Sequence, residues 1–126
     1  MHMDIIDQEF GVPTTQLLRT VDFYVLRLFF EKLSESAHAC TIALGKDRVT
    51  FREAHRDEVR SLRNMGFGLS FRLRGIQDYY QRIRTAGMTE FQQELELMQP
   101  GVWQFSVRDP NEFLVVFSTS ANGGAP

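Results

Sequence analysis

Hydrophobic and polar positions follow two different periods along this chain. Apolar residues recur every three or four positions over residues 15–30 and 76–86, which predicts two amphipathic helices. Between them, short segments alternate between apolar and polar or are continuously apolar, as is typical of strands. The predicted strands are residues 9–14, 30–34, 39–44, 48–53, 68–74, 88–97, 102–107 and 113–118. The predicted order is therefore β-α-β-β-β, repeated once.

A charged stretch, "AHRDEVRSLRNMG" over residues 54–66, shows little apolar periodicity. We predict a solvated connection there, either without regular structure or with one helical turn. It joins module one, about residues 8–53, to module two, about residues 67–119, and residues 120–126 are predicted to be a flexible tail. At 126 residues the chain has the length of one domain with a substantial core.

A short internal similarity supports duplication. "VDFY" and "QDYY" place Asp22 and Asp78, 56 residues apart, near the start of each predicted helix. Because the element order also repeats, we interpret the chain as two tandem modules of an α+β fold. One such module cannot bury both faces of its sheet, so a paired arrangement is expected.

Composition narrows the functional classes. The formal net charge of -2 gives no reason to expect a nucleic acid or an acidic membrane as partner. The lone Cys40 excludes an intrachain disulfide and fits a reducing compartment. It shares strand parity with Ile42 and Leu44, so a buried, inert thiol is favoured over a nucleophile. No signal segment or apolar span is evident, and we expect a cytoplasmic protein.

Four segments together resemble the vicinal oxygen chelate superfamily, which includes glyoxalases, extradiol dioxygenases and bleomycin-resistance proteins. The segments are "TVDFYVLRLFFEKLSES", "TIALGKDRVTFREA", "LSFRLRGIQDYYQRIRTAG" and "WQFSVRDPNEFLVVF". The Phe23-Tyr24 pair in the first helix and the Asp109-Pro110 turn before the last strand are the most recognisable marks. The resemblance implies a curved mixed sheet with a concave groove.

In metal-dependent members, the resemblance implies one His or Glu ligand on each of four strands. These positions fall on Val116, on Thr50, on Gly68 or Phe67, and near residues 8–10, where Glu9 is the one carboxylate. A divalent ion needs about three protein ligands from His, Cys, Asp and Glu, and at most one position qualifies. We therefore expect neither a metal nor another cofactor.

Strand alternation separates a face packed under the helices from a face lining the groove. The packed face is predicted to hold Ile42, Leu44, Val49, Phe51, Leu69, Phe71, Leu73, Phe105, Val107, Val115 and Phe117. The groove face is predicted to hold Thr41, Ala43, Arg48, Thr50, Arg52, Ser70, Arg72, Gln104, Ser106, Leu114, Val116 and Ser118.

The groove face carries three arginines among hydroxyls and an amide, which suits a polar or anionic ligand. The predicted binding residues are Arg48, Thr50, Arg52, Ser70, Arg72 and Gln104, with Val116 on an apolar floor. Trp103 belongs by parity to the packed face, but its place at a strand start allows the ring to lie at the groove mouth. An alternative for the whole face is that it is solvated or covered by a partner subunit.

The favoured hypothesis is a metal-free small-molecule binding protein of the bleomycin-resistance type, with no catalytic residues, forming a homodimer. Cationic bleomycin fits three arginines poorly, so the ligand is expected to be another, anionic molecule. A metal-dependent glyoxalase-like lyase or dioxygenase-like enzyme is one alternative. An interaction module that binds no small ligand is another.

Overall fold

The structure is a computed structural model that describes residues 11–119. The chain divides into two compact units, residues 1–66 and residues 67–126, and each has its own four-stranded sheet. The candidate ligand Glu9 and the predicted tail lie outside the described residues.

The first unit consists of a mixed four-stranded sheet and two helices. Its elements are β1 (Val12–Thr14), α1 (Leu17–Asp22, continuing as a π-helical segment Phe23–Arg27), β2 (Glu31–Glu35), β3 (Ala39–Leu44), β4 (Asp47–Glu53) and α2 (Arg56–Asn64). The strand order is β1-β4-β3-β2, with β1 parallel to β4 and the other pairs antiparallel. β3 and β4 form a hairpin whose turn contains Gly45 at φ +62°, a value that glycine adopts without strain.

The second unit repeats this topology with one helix. Its elements are β5 (Gly68–Arg72), α3 (Ile76–Thr85), β6 (Phe91–Gln99), β7 (Val102–Arg108) and β8 (Leu114–Ser118). The strand order is β5-β8-β7-β6, with β5 parallel to β8. The order and directions match those of the first unit strand for strand, so the α+β class and the predicted repetition of elements are confirmed.

Each sheet buries one face under its first helix through aromatic packing. In the first unit the Tyr24 ring lies 5.0 Å from that of Phe51 and 5.3 Å from that of Phe30. Burial of these rings and of neighbouring aliphatic side chains is the main favourable contribution to folding. Nine of the residues predicted for the packed face are buried, while Leu44 and Leu73 are only half-buried.

Among residues 11–119, the second unit has the larger aromatic core. The Phe105 and Phe117 rings stack with centroids 4.9 Å apart, and Phe71 stacks on Phe117 at 5.6 Å. Tyr79 and Tyr80 of α3 pack on the same rings, at 5.4 Å from Phe117 and 5.0 Å from Phe105. The face opposite to this core is therefore the one left without a helix over it in the second unit.

The predicted connection over residues 54–66 is mostly exposed, but its helical content was underestimated. The nine-residue helix α2 lies there, begins after His55, and has Asp57 and Glu58 in its first turn. The His55 side chain accepts a hydrogen bond from the Asp57 N–H, and acidic residues at a helix N-terminus interact favourably with its dipole. Apolar periodicity missed it because Val59 is the one fully buried residue of this helix.

The first helix is shorter than predicted. The regular α-helix ends at Asp22, the π-helical segment ends at Arg27, and Phe29 has φ +61°. Leu18, predicted to belong to its apolar stripe, is 69% exposed. The first strand was predicted from residue 9, but its described part begins at Val12.

Candidate functional site

The register of the second sheet aligns four predicted binding residues on one face. Arg72 on β5 lies opposite Ser118 on β8, and Ser118 lies opposite Gln104 on β7. The neighbouring row runs from Ser70 through Val116 to Ser106. Residues directly opposite one another across strands share a face, and that face repeats every second residue. The polar face of the second sheet thus holds Ser70, Arg72, Gln104, Ser106, Arg108, Leu114, Val116 and Ser118, with Gln93 and Glu96 on the edge strand β6.

The first sheet has a corresponding polar face. Arg48 pairs with Ala43, Thr50 with Thr41, and Arg52 with Ala39 across β4 and β3. The hydroxyls of Thr41 and Thr50 are hydrogen bonded at 2.6 Å. The polar face of the first sheet thus holds Thr41, Ala43, Arg48, Thr50 and Arg52, with Glu31 and Ser34 on the edge strand β2.

The three arginines differ in their electrostatic partners. The Arg52 guanidinium pairs with the Glu58 carboxylate of α2 through both of its terminal nitrogens. Arg48 and Arg72 are exposed and form no ion pair or hydrogen bond with another side chain of residues 11–119. Arg52 is therefore neutralised by a carboxylate of the chain, whereas Arg48 and Arg72 have no such carboxylate partner among residues 11–119.

Gln104 has a fixed orientation. Its amide nitrogen donates to the Gln93 side-chain oxygen at 3.0 Å, and the Gln93 amide nitrogen donates to Glu96 at 3.2 Å. This chain of bonds holds the Gln104 amide group against β6. These two bonds restrict the conformations open to the Gln104 side chain.

Trp103 lies on the face of β7 opposite to that of Gln104. Its main chain is tied to Thr119, because the Trp103 N–H donates to the Thr119 hydroxyl and the Trp103 carbonyl accepts from the Thr119 N–H, both at 3.1 Å. The side chain is half-buried and lies opposite Leu97 of β6. Because successive side chains of a strand point to opposite faces, Trp103 does not lie on the polar face of the second sheet.

At the three metal-ligand positions that lie within residues 11–119, the residues do not fit a divalent ion. Val116 has no donor atom, and a Cβ built on Gly68 would lie 2.6 Å from the Leu114 carbonyl oxygen, so β5 and β8 approach too closely for a side chain. The Thr50 hydroxyl is already bonded to Thr41. Across the described residues 11–119, no group of three or more His, Cys, Asp or Glu side chains could hold a metal.

Two other features lie outside the predicted site. An open depression of about 490 Å³ beside α1 is lined by Gln16, Leu17, Leu18, Arg19, Asp22 and Glu53, none of them a predicted binding residue. Cys40 is buried, as predicted, and this burial raises the pKa of its thiol. A buried thiol with a raised pKa forms little thiolate, which disfavours a role of Cys40 as a nucleophile.

Comparisons with solved structures identify the fold. A glyoxalase/bleomycin resistance protein/dioxygenase from Alicyclobacillus acidocaldarius is 23% identical, with a TM-score of 0.65 and 86% of each chain covered. A bleomycin resistance determinant encoded on the transposon Tn5 is 19% identical, with a TM-score of 0.68, covering 86% of this chain and 92% of that chain. A bleomycin-binding protein complexed with bleomycin is 19% identical, with a TM-score of 0.61, covering 86% and 93%. The chain therefore has the glyoxalase/bleomycin-resistance fold, which confirms the fold that the resemblance implied.

Sequence comparisons add no closer relative. No protein-family profile matches the chain, and no curated protein matches it. Among the described helices, none has the length and apolar content needed to cross a lipid bilayer.

Proposed function

We propose that this protein binds a small anionic molecule with an apolar part, through the polar faces of its sheets and without a metal. The mode of action is sequestration, as in bleomycin-resistance proteins, and requires no covalent step. The fold admits many chemistries, so the proposal rests on the side chains of these faces.

The observation that supports this proposal is the order in which polar and apolar residues follow one another along the polar face of the second sheet. Arg72, Ser118 and Gln104 form a row of hydrogen-bonding groups, and the half-buried Val116 lies in the next row. Leu114 follows in the row beyond. An anion at Arg72 would thus have an apolar surface beside it, which favours a ligand with a charged end and an apolar body.

The first sheet supports the same ligand chemistry. Arg48 is an exposed cation on its polar face, and the paired hydroxyls of Thr41 and Thr50 lie in the adjacent row. The inner strands place no Asp or Glu on these faces, while the edge strands place Glu31 opposite Ala43 and Glu96 opposite Gln104. The support for an anionic ligand therefore comes from the exposed guanidinium groups of Arg48 and Arg72 themselves.

The test is calorimetric titration with naphthoate, an aromatic carboxylate, and with uncharged naphthamide of nearly the same shape. We expect saturable binding of naphthoate and at least a severalfold weaker response to naphthamide, because the amide cannot form a charge-assisted bond with arginine. Arg72→Ala is expected to weaken naphthoate binding by about tenfold, the loss of one hydrogen bond to a charged group.

The matched control is Arg82→Ala, which removes the same charge from α3, the helix that covers the opposite face of the second sheet. It should leave naphthoate affinity nearly unchanged. Equal losses in the two variants would overturn the assignment of the face. Tight binding of bleomycin that is insensitive to Arg72 would overturn the anionic ligand class.

A homodimer in the cytoplasm remains part of the proposal. The edge strand β6 exposes about half of the Leu97 and Met98 side chains, at 50% and 48%, and an exposed apolar edge is a template for association. Sedimentation at increasing concentration should show a dimer that Leu97→Glu dissociates. A monomer at all concentrations would remove this part of the proposal.

A further inference from the structure

One row of cross-strand neighbours on the polar face of the second sheet has an arginine at one end and a glutamate at the other. Arg72 of β5 lies opposite Ser118 of β8. The row continues from Ser118 through Gln104 of β7 to Glu96 of the edge strand β6. Because it includes a residue from each of the four strands, this row crosses the full width of the sheet.

The two charged ends of the row do not neutralise each other. Neighbouring strands lie about 4.8 Å apart, so three strand spacings place roughly 14 Å between the main chains of Arg72 and Glu96. Both side chains are exposed, and neither forms an ion pair among residues 11–119. The face therefore presents a cation and an anion that are separated by a serine and a glutamine.

The end of the row near Glu96 is rich in hydrogen-bond acceptors. The Gln104 amide nitrogen donates to Gln93 Oε1 at 3.0 Å, and the Gln93 amide nitrogen donates to Glu96 Oε1 at 3.2 Å. Gln104 Oε1 and Glu96 Oε2 form no hydrogen bond among residues 11–119. These two oxygens suit a group that donates hydrogen bonds and carries positive charge, whereas the Arg72 guanidinium can only donate.

The first sheet has a shorter row with the same order of charges. Arg48 of β4 lies opposite Ala43 of β3, and Ala43 lies opposite Glu31 of β2. This row spans only two strand spacings, and its middle residue is a buried alanine without a side-chain hydrogen-bonding group. The second sheet is therefore the better site for a ligand whose opposite charges lie far apart.

We propose that the ligand of the second sheet is a zwitterion whose ammonium and carboxylate groups are separated by an apolar body. The carboxylate pairs with Arg72, and the ammonium donates to Gln104 Oε1 and Glu96 Oε2. The apolar body lies against Val116 in the next row. This inference rests on the proposed function, because it takes Arg72 as the site of the ligand's anion, and it adds Glu96 as a residue that determines specificity.

The first experiment is calorimetric titration with a naphthoate that carries an aminomethyl group at the opposite end of its ring system. The comparison compound is the corresponding ethyl naphthoate, a monoanion of nearly the same shape. We expect the wild-type protein to bind the zwitterion about threefold to tenfold more tightly, because it gains an exposed ion pair and a charge-assisted hydrogen bond. Glu96→Gln should remove most of this preference, while its side-chain oxygen can still accept the hydrogen bond from Gln93.

The matched control is Glu94→Gln, which removes the same charge from the same strand. Glu94 lies on the helix side of β6, where it accepts from the Tyr80 hydroxyl at 3.4 Å and pairs with Arg84 at 3.8 Å. This variant should keep the preference for the zwitterion. An equal loss of preference in Glu94→Gln and Glu96→Gln would reflect net charge alone and would contradict the inference.

A second comparison tests the separation of the two charges. Naphthylalanine carries its ammonium and its carboxylate on one carbon atom, so it cannot reach both ends of the row. Its affinity should be the same for the wild-type protein and for Glu96→Gln. A loss of affinity as large as that of the aminomethyl naphthoate would contradict a ligand that spans the row.

The outcomes distinguish this inference from the proposed function. If the ethyl naphthoate binds through Arg72 and the wild-type protein shows no preference for the zwitterion, the inference is wrong and the proposed function stands. If neither naphthoate binds, the proposed function is wrong, and the inference is then wrong as well.

Discussion

The two units share one strand order but stabilise and expose it differently. In the first unit the core ring of β4, Phe51, contacts Tyr24, whereas in the second unit Phe105 of β7 contacts the rings of Tyr79, Tyr80 and Phe117. On the polar face, Arg52 of the first unit pairs with the Glu58 carboxylate, whereas Arg72 of the second unit forms no ion pair among residues 11–119. Topology is thus the shared property of the two units, while core composition and charge have diverged.

The largest expected difference concerns the aromatic cores. Phe105→Ala should lower the free energy of unfolding by about 3–5 kcal/mol, because it leaves a cavity among several rings. Phe51→Ala, in the smaller cluster, should lower it by less, since each aromatic pair adds about 0.5–1.5 kcal/mol beyond its buried area. Urea unfolding measures both. A larger loss for Phe51→Ala would contradict the comparison.

The connections between the last two strands of each unit give the next contrast. In the second unit, buried Asp109 accepts hydrogen bonds from the N–H groups of Asn111 and Phe113 at 2.8 and 3.0 Å. Asp109→Ala would leave these two buried N–H donors without an acceptor. It should lower the free energy of unfolding by about 2–3 kcal/mol.

The first unit makes the corresponding connection with an exposed hairpin turn containing Gly45 and Lys46. Lys46→Ala is the control there and should change the free energy of unfolding by about 0.5 kcal/mol or less. Comparable losses in the two variants would show that the Asp109 bonds do not stabilise the turn.

The smallest expected effect distinguishes the two helices that cover the sheets. Tyr79 corresponds in the repeat to Phe23, and burial raises the pKa of Tyr79 well above its ordinary value. A folded-state pKa above the unfolded value means that stability is complete below about pH 10 and falls as the pH rises further.

Tyr79→Phe gives this position the residue type that the first unit has at Phe23. It should remove the loss of folding stability above about pH 10 that ionisation of Tyr79 causes. Unfolding free energies at neutral and alkaline pH, compared between the two proteins, measure the difference. An identical alkaline slope in the variant would contradict the assignment to Tyr79.

The sequence predicted most of the fold because strand alternation depends only on side-chain polarity. Parity placed Arg72, Gln104 and Val116 on one face, and the observed register agrees. It could not predict α2, whose formation depends on the His55 cap and a single buried anchor, Val59. These contacts are invisible to a search for apolar periodicity.

For the same reason the pairing of Arg52 with Glu58 could not be predicted. The two residues are six apart in sequence and belong to different elements, so their contact depends on how α2 packs. A carboxylate in the first turn of a helix also has an ordinary local role at the helix dipole. Only the three-dimensional structure separates that role from the pairing with a predicted binding residue.

The most direct test of the anion-binding account follows arginine side chains one by one. In an NMR titration with naphthoate, the Nε–H resonances of Arg72 and Arg48 should shift and saturate, while that of Arg82 on α3 should stay fixed. A saturable shift at Arg82 alone, or no saturable shift at Arg72, would contradict the claim that the polar sheet faces bind the ligand.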